Sequence, residues 1–170
     1  FIIAKTSRES WEQIRRDADI ENDHFPALES YPDAATYALL THYCKNTGQA
    51  SDSALEEFGR YWVSEVAAKH YGYLLKMTGR DFREFIANLD LMHERVSTEF
   101  NELVHPSFSV VAISDTSFHV HYRSHRVGLA PFVLGLLHGL GNHFEVDVQI
   151  EHIASGHGIM NSEVFLVKYV

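Results

Sequence analysis

Apolar residues recur every three or four positions up to about Asn101, and every second position through most of the remaining chain. The first spacing keeps one stripe on one side of a helix; the second puts alternate side chains on one face of a strand. Glu9 to Ala18 predicts an amphipathic helix behind Ser7, and Pro32 stands at a first helical position ahead of DAATYALLTHYCK, closed by Gly48. Ser51, Asp52 and Ser53 offer caps for ALEEFGRYWVSEVAAKH. A short YGYLLKMTG piece precedes the longest helix, from about Asp81 to Phe100. Past Pro106, FSVVAIS and SFHVHYRS predict a hairpin around Asp115, and FEVDVQIEHI and EVFLVKYV a second one across ASGHGIMNS. Between the hairpins APFVLGLLHGL predicts a helix. The layout is α+β: a helical N-terminal half packed on a C-terminal antiparallel sheet with one inserted helix.

Composition narrows the reading. At 170 residues and 45% hydrophobic, the chain fills one core, and a single domain over residues 1–170 is expected. Lys and Arg number 14 against 23 Asp and Glu, so the formal charge of -9 repels phosphate backbones and argues against nucleic acid or an anionic membrane as partner. The single cysteine, Cys44, excludes an intrachain disulfide and any cysteine-built zinc or iron–sulfur site, fits a reducing cytosol, and is most simply a small buried hydrophobe. No apolar run approaches the roughly 20 residues of a membrane span, so a soluble, cytoplasmic chain is expected.

Two groups of residues carry candidate chemistry. On the long helix the stripe Phe82, Phe85, Ile86, Leu89, Val96 and Phe100 has His93 in register, so that imidazole points inward. An inward histidine is either a core residue bonded to a carbonyl or a metal ligand, since neutral imidazole donates well to iron and large apolar neighbours suit a porphyrin face. In the predicted strand Phe118, Val120, Tyr122 and Ser124 share one face, and Arg126 joins them if the extension continues. Two hydroxyls beside a guanidinium fork receive carboxylates, for instance a pair of propionates, although the same residues also furnish an ordinary exposed sheet face. The opposite face offers His119-x-His121, a spacing that chelates zinc, with His125 as a conceivable third ligand. His138, His143, His152 and His157 fall into no pattern.

Taken together, NLDLMH with His93, HPSF with Pro106, and Tyr122-x-Ser124-x-Arg126 followed by GLAPFVLGLLHGLG resemble the haem nitric oxide/oxygen-binding (H-NOX) family, found also at the front of soluble guanylate cyclase. The resemblance covers essentially the whole chain and implies about a dozen further residues before Phe1. It implies a haem b (Fe-protoporphyrin IX) between the two halves, with His93 as axial iron ligand and Pro106 pressing the porphyrin out of plane. Tyr122, Ser124 and Arg126 would hold the propionates, and Asp33 would pair with Arg126 across the halves. Trp62, Val66, Phe132 and Leu136 match positions lining the gas pocket.

The same resemblance speaks to selectivity. Oxygen-binding members carry a tyrosine where Phe132 stands, and bound dioxygen is retained by a hydrogen-bond donor that phenylalanine lacks. NO is therefore the expected ligand, with CO weaker. The Trp62 indole N–H is a rival donor, if it is not simply packed. The implied output is a shift of the His93 helix read by a histidine kinase, a cyclic-dinucleotide enzyme or a guanylate cyclase, the domain itself being no enzyme. Two other classes compete: a zinc-dependent enzyme built on His119, His121 and His125, and a haem-free regulatory domain whose pocket takes an apolar carboxylate.

Overall fold

The computed structural model describes residues 1–25, 29, 31–99 and 105–169. Phe100, the last member of the expected apolar stripe, and Val170 lie outside the described residues.

Helices form where the three-and-four spacing ran. After the short α1 (Ile2–Lys5), α2 (Arg8–Asp17) begins at Ser7, whose hydroxyl accepts from the Ser10 N–H at 3.0 Å. The next helix, α3 (Asp33–Thr47), starts one residue later than expected, with Pro32 at the cap. It stops at Gly48, whose φ of 72° lies in the left-handed region that glycine enters without steric cost. The caps expected at Ser51, Asp52 and Ser53 fall inside α4 (Ser51–Tyr61), whose cap residue is Ala50. The stretch that the sequence presented as one helix then changes pitch. Trp62–Ala67 winds as a π-helix before α5 (Ala68–His70) and α6 (Gly72–Thr78). The longest helix, α7 (Phe82–Glu99), opens where the Asp81 carboxylate accepts the Glu84 N–H at 2.8 Å.

Alternation gives the sheet. Strands β1 (Ser107–Ser114) and β2 (Ser117–Ser124) form the first hairpin, α8 (Ala130–His143) comes next, and β3 (Val148–Gly156) with β4 (Asn161–Tyr169) forms the second. The four strands are antiparallel in the order β1-β2-β4-β3, so the two hairpins join through β2 and β4. In that seam Phe118 faces Val167, Val120 faces Phe165 and Tyr122 faces Glu163, all six buried.

One apolar cluster lies between the layers. Phe82, Phe85, Ile86 and Leu89 of α7, Val133, Leu137 and Leu140 of α8, and Val63 and Ala67 of the π-helix pack on Phe118, Val120, Phe165 and Val167. A smaller cluster of Ile14, Tyr43 and Ala54 binds α2 and α3 to α4, with Leu39, Leu40 and the half-buried Cys44 against it.

Candidate functional site

The long helix delivers His93 half-buried to the end of the main cluster, on the turn after Leu89. Loss of water pushes its pKa down to about 4, and the nearby His105 pushes the same way; Asp90 and the Pro106 backbone oppose both. The ring is therefore neutral near pH 7 and keeps a lone pair. Its Nδ1 is buried without a hydrogen-bond partner of normal geometry among the described residues. The His105 ring stacks on it, with centroids 5.1 Å apart and planes 20° apart. Pro106, half-buried, is set between His105 and the start of β1, which Asp90 secures: its carboxylate accepts the Phe108 N–H at 2.8 Å and the Ser107 hydroxyl at 3.3 Å.

The sheet supplies the polar half. Alternation on β2 turns Tyr122, 4% exposed, and Ser124, 7% exposed, toward the interior. Burial raises the Tyr122 pKa, while Ser124 and Arg126 draw it back. The strand ends at Ser124, so Arg126 does not continue the extension; instead the Ser124 hydroxyl accepts the Arg126 N–H at 3.1 Å and turns the chain. The Arg126 Nε then meets Asp33 Oδ1 at 2.7 Å, and the Tyr37 hydroxyl donates to the Val127 carbonyl at 2.8 Å, tying this corner to α3. Phe108 bridges the two constellations, its ring 5.8 Å from His93 and 5.2 Å from Tyr122.

The residues expected to line the gas pocket lie on α8 and the π-helix. Phe132 and Leu136 stand on α8, half-buried, and Phe132 lies 5.2 Å from Phe58. Val66 is half-buried in the π-helix, whereas Trp62 is 36% exposed. A neutral imidazole with an unpartnered buried nitrogen, two interior hydroxyls with a guanidinium, and aromatic walls match an iron porphyrin with two carboxylate arms. The alternative zinc site lacks comparable assembly. His119 and His121 are half-buried with rings 6.2 Å apart, His125 is exposed beyond the strand, and among the described residues no group of three or more His, Cys, Asp or Glu side chains is arranged to hold a metal ion.

A family model described as Haem-NO-binding matches residues 1–152. The chain belongs to that family. Similar proteins include soluble guanylate cyclase gcy-31 of Caenorhabditis elegans, 24% identical over 167 residues that make 98% of this chain and 24% of that protein. Guanylate cyclase soluble subunit beta-2 of Rattus norvegicus is 31% identical over 114 residues, 66% of this chain and 16% of that protein. The chain thus spans less than a quarter of the length of these curated relatives. A solved structure concerned with the molecular mechanism of H-NOX activation superposes with a TM-score of 0.87 at 16% identity, covering 99% of this chain and 90% of that one. An oxygen-binding H-NOX domain related to soluble guanylate cyclases, in its oxygen complex, gives 0.83 at 16% identity, covering 99% and 88%. These likenesses establish the fold. Among the described residues no helix is long and apolar enough to cross a membrane.

Several residues of this Haem-NO-binding domain that contact the candidate side chains escape a reading of the sequence. Asp90 lies three positions before His93, and that spacing marks it as a neighbour on the helix but not as the anchor of β1. His105 reaches His93 only through the return of the chain, and Ser97 joins it with Oγ 2.6 Å from His105 Nδ1. Glu163, buried opposite Tyr122, is held by His152 at 2.8 Å and by the Ser155 hydroxyl at 2.6 Å. Its alternation with Phe165 and Val167 is the one signal that places it inside.

Proposed function

We propose that this domain holds haem b through His93 and serves as a gas sensor for NO, with CO as a second ligand. The observation that carries the reading is the ring chain His93–Phe108–Tyr122, which makes the imidazole and the interior hydroxyls two sides of one interior. The residues divide the work by chemistry. His93, neutral and desolvated, offers its lone pair without first losing a proton. Tyr122, Ser124 and Arg126 receive the two carboxylate arms, with Asp33 steadying the guanidinium. When bound, haem supplies an iron able to take diatomic gases.

Selectivity rests on what the far wall lacks. Phe132, Leu136 and Val66 present no hydrogen-bond donor, which favours NO and CO over dioxygen. Trp62 does bring an indole N–H, but its exposure of 36% argues that water competes for it. Pro106 and the Asp90 contacts link the ligand helix to β1, so a movement of α7 is passed to the sheet. Such a movement becomes a signal when a partner binds the two states differently. The curated relatives are guanylate cyclases far longer than this chain, which supports a cyclase as output; a histidine kinase or a cyclic-dinucleotide enzyme is the other form such a partner takes.

Reconstitution with hemin followed by reduction tests the reading. The expected ferrous spectrum is unaltered by air and altered by NO, and Phe132→Tyr adds sensitivity to air. Protein that stays colourless, or wild-type protein whose ferrous spectrum changes at once in air, overturns it.

A further inference from the structure

We propose that His105 is a second imidazole able to ligate the haem iron, standing in for His93 when that ring is withdrawn. The inference rests on the proposed haem binding and adds a residue to it.

Two features of the structure carry it. The first is position: the His105 ring lies parallel to that of His93 within 20° at 5.1 Å, so a second imidazole stands directly beside the first. Pro106 confines the backbone of His105 to extended conformations, and Asp90 anchors Ser107 and Phe108 just beyond, so the ring is presented from a stiff support. The second is the hydrogen bond that holds the ring. Ser97, one turn beyond His93, places its Oγ 3.0 Å from the His93 carbonyl, a group that only accepts. With its proton given there, Ser97 accepts at 2.6 Å from an N–H at His105 Nδ1, which holds the ring by its Nδ1 side and leaves Nε2 outside that bond.

This is the support that ligating histidines usually receive, a held proton on the far nitrogen that fixes ring and tautomer. His105 receives it from Ser97 through a side-chain bond, while the Nδ1 of His93 has only the Pro106 backbone near it. The pair therefore offers two imidazoles held by different partners. Exchange of one imidazole for the other would form one iron–nitrogen bond for the one broken, with no net transfer of an electron.

The test compares the full chain, His93→Ala and His93→Ala/His105→Ala, each loaded with hemin, reduced and read by its ferrous and ferrous–CO spectra. His93→Ala is expected to keep an imidazole-ligated spectrum, and the double variant to lose it and regain it with added imidazole, which also shows that its fold survives. Adding Ser97→Ala to His93→Ala is expected to speed haem loss several-fold. A second readout needs no haem: nitrogen-15 shifts of the haem-free chain should report His105 protonated at Nδ1, and Ser97→Ala should disturb that. The proposal is overturned if His93→Ala already matches the double variant, or if Nε2 carries the proton. Failure of the unmutated chain to take up hemin would instead sink the haem reading, and this proposal with it.

Discussion

An imidazole moved out of water gives up its proton more readily, and His93 shows what that costs and supplies. Its pKa falls from 6.5 to about 4 through burial first and the neighbouring His105 second. Above pH 6.5 the ring is neutral folded or unfolded, and the shift has no effect on stability. Below that the unfolded chain takes the proton more readily, so the haem-free protein should weaken as pH falls from 6.5 toward 4, by up to about 3 kcal/mol. Urea melts at pH 7, 5.5 and 4 check this, and His93→Leu should flatten the part due to this ring. Asp33 gives the opposite case. Its bond to Arg126 is 2.7 Å long, yet the two side chains are 49% and 46% exposed, so water screens the attraction. Asp33→Ala should change stability by less than about 1 kcal/mol while letting haem escape faster to an acceptor globin, because what is lost is the aim of the guanidinium. At this scale the sequence was legible where a periodicity governs direction: His93 is placed by Leu89 and Val96, and Tyr122 and Ser124 by strand alternation. His105 is not, because it precedes β1 and follows neither the helical nor the strand period.

Helices and strands meet here through backbone as much as side chains. Gly59 on α4 faces the Phe132 carbonyl and Gly135 on α8 faces the Glu56 carbonyl, closer than any Cβ allows. The two helices cross at this contact, which sets how far Phe132 and Leu136 reach into the interior. Gly135→Ala should therefore destabilise by roughly 1–3 kcal/mol or more and alter ligand spectra, since the obstacle is main chain that cannot turn aside. Gly72, with open space around its position at the start of α6, is the control; Gly72→Ala should be neutral or stabilising by up to about 1 kcal/mol in thermal melts. Strand and α-helix were readable because the two periods differ. The π-helix at Trp62–Ala67 was not, since WVSEV fits an ordinary helical spacing. The caps at Ser51, Asp52 and Ser53 failed because all three lie inside the first turn, behind Ala50, so the run marks the start of the helix without supplying its cap.

Across the molecule two apolar clusters of unequal size share the load. The larger joins α7, α8 and the π-helix to the sheet, while the smaller holds α2 and α3 against α4. Amides of β2, β4 and α7 should exchange last, near the limit of global unfolding, and those of α2 and α3 at a lower opening free energy. Hydrogen exchange read by mass spectrometry separates the two, and equal protection would mean that the clusters unfold as one. The strand order β1-β2-β4-β3 bears on how the protein is made. Neither β2 nor β3 can complete its pairing on the ribosome until residues as late as Tyr169 have emerged, because β4 lies between them. A nascent chain halted at the second hairpin's turn would expose two raw edges, and pigment should be captured only after translation has passed that point.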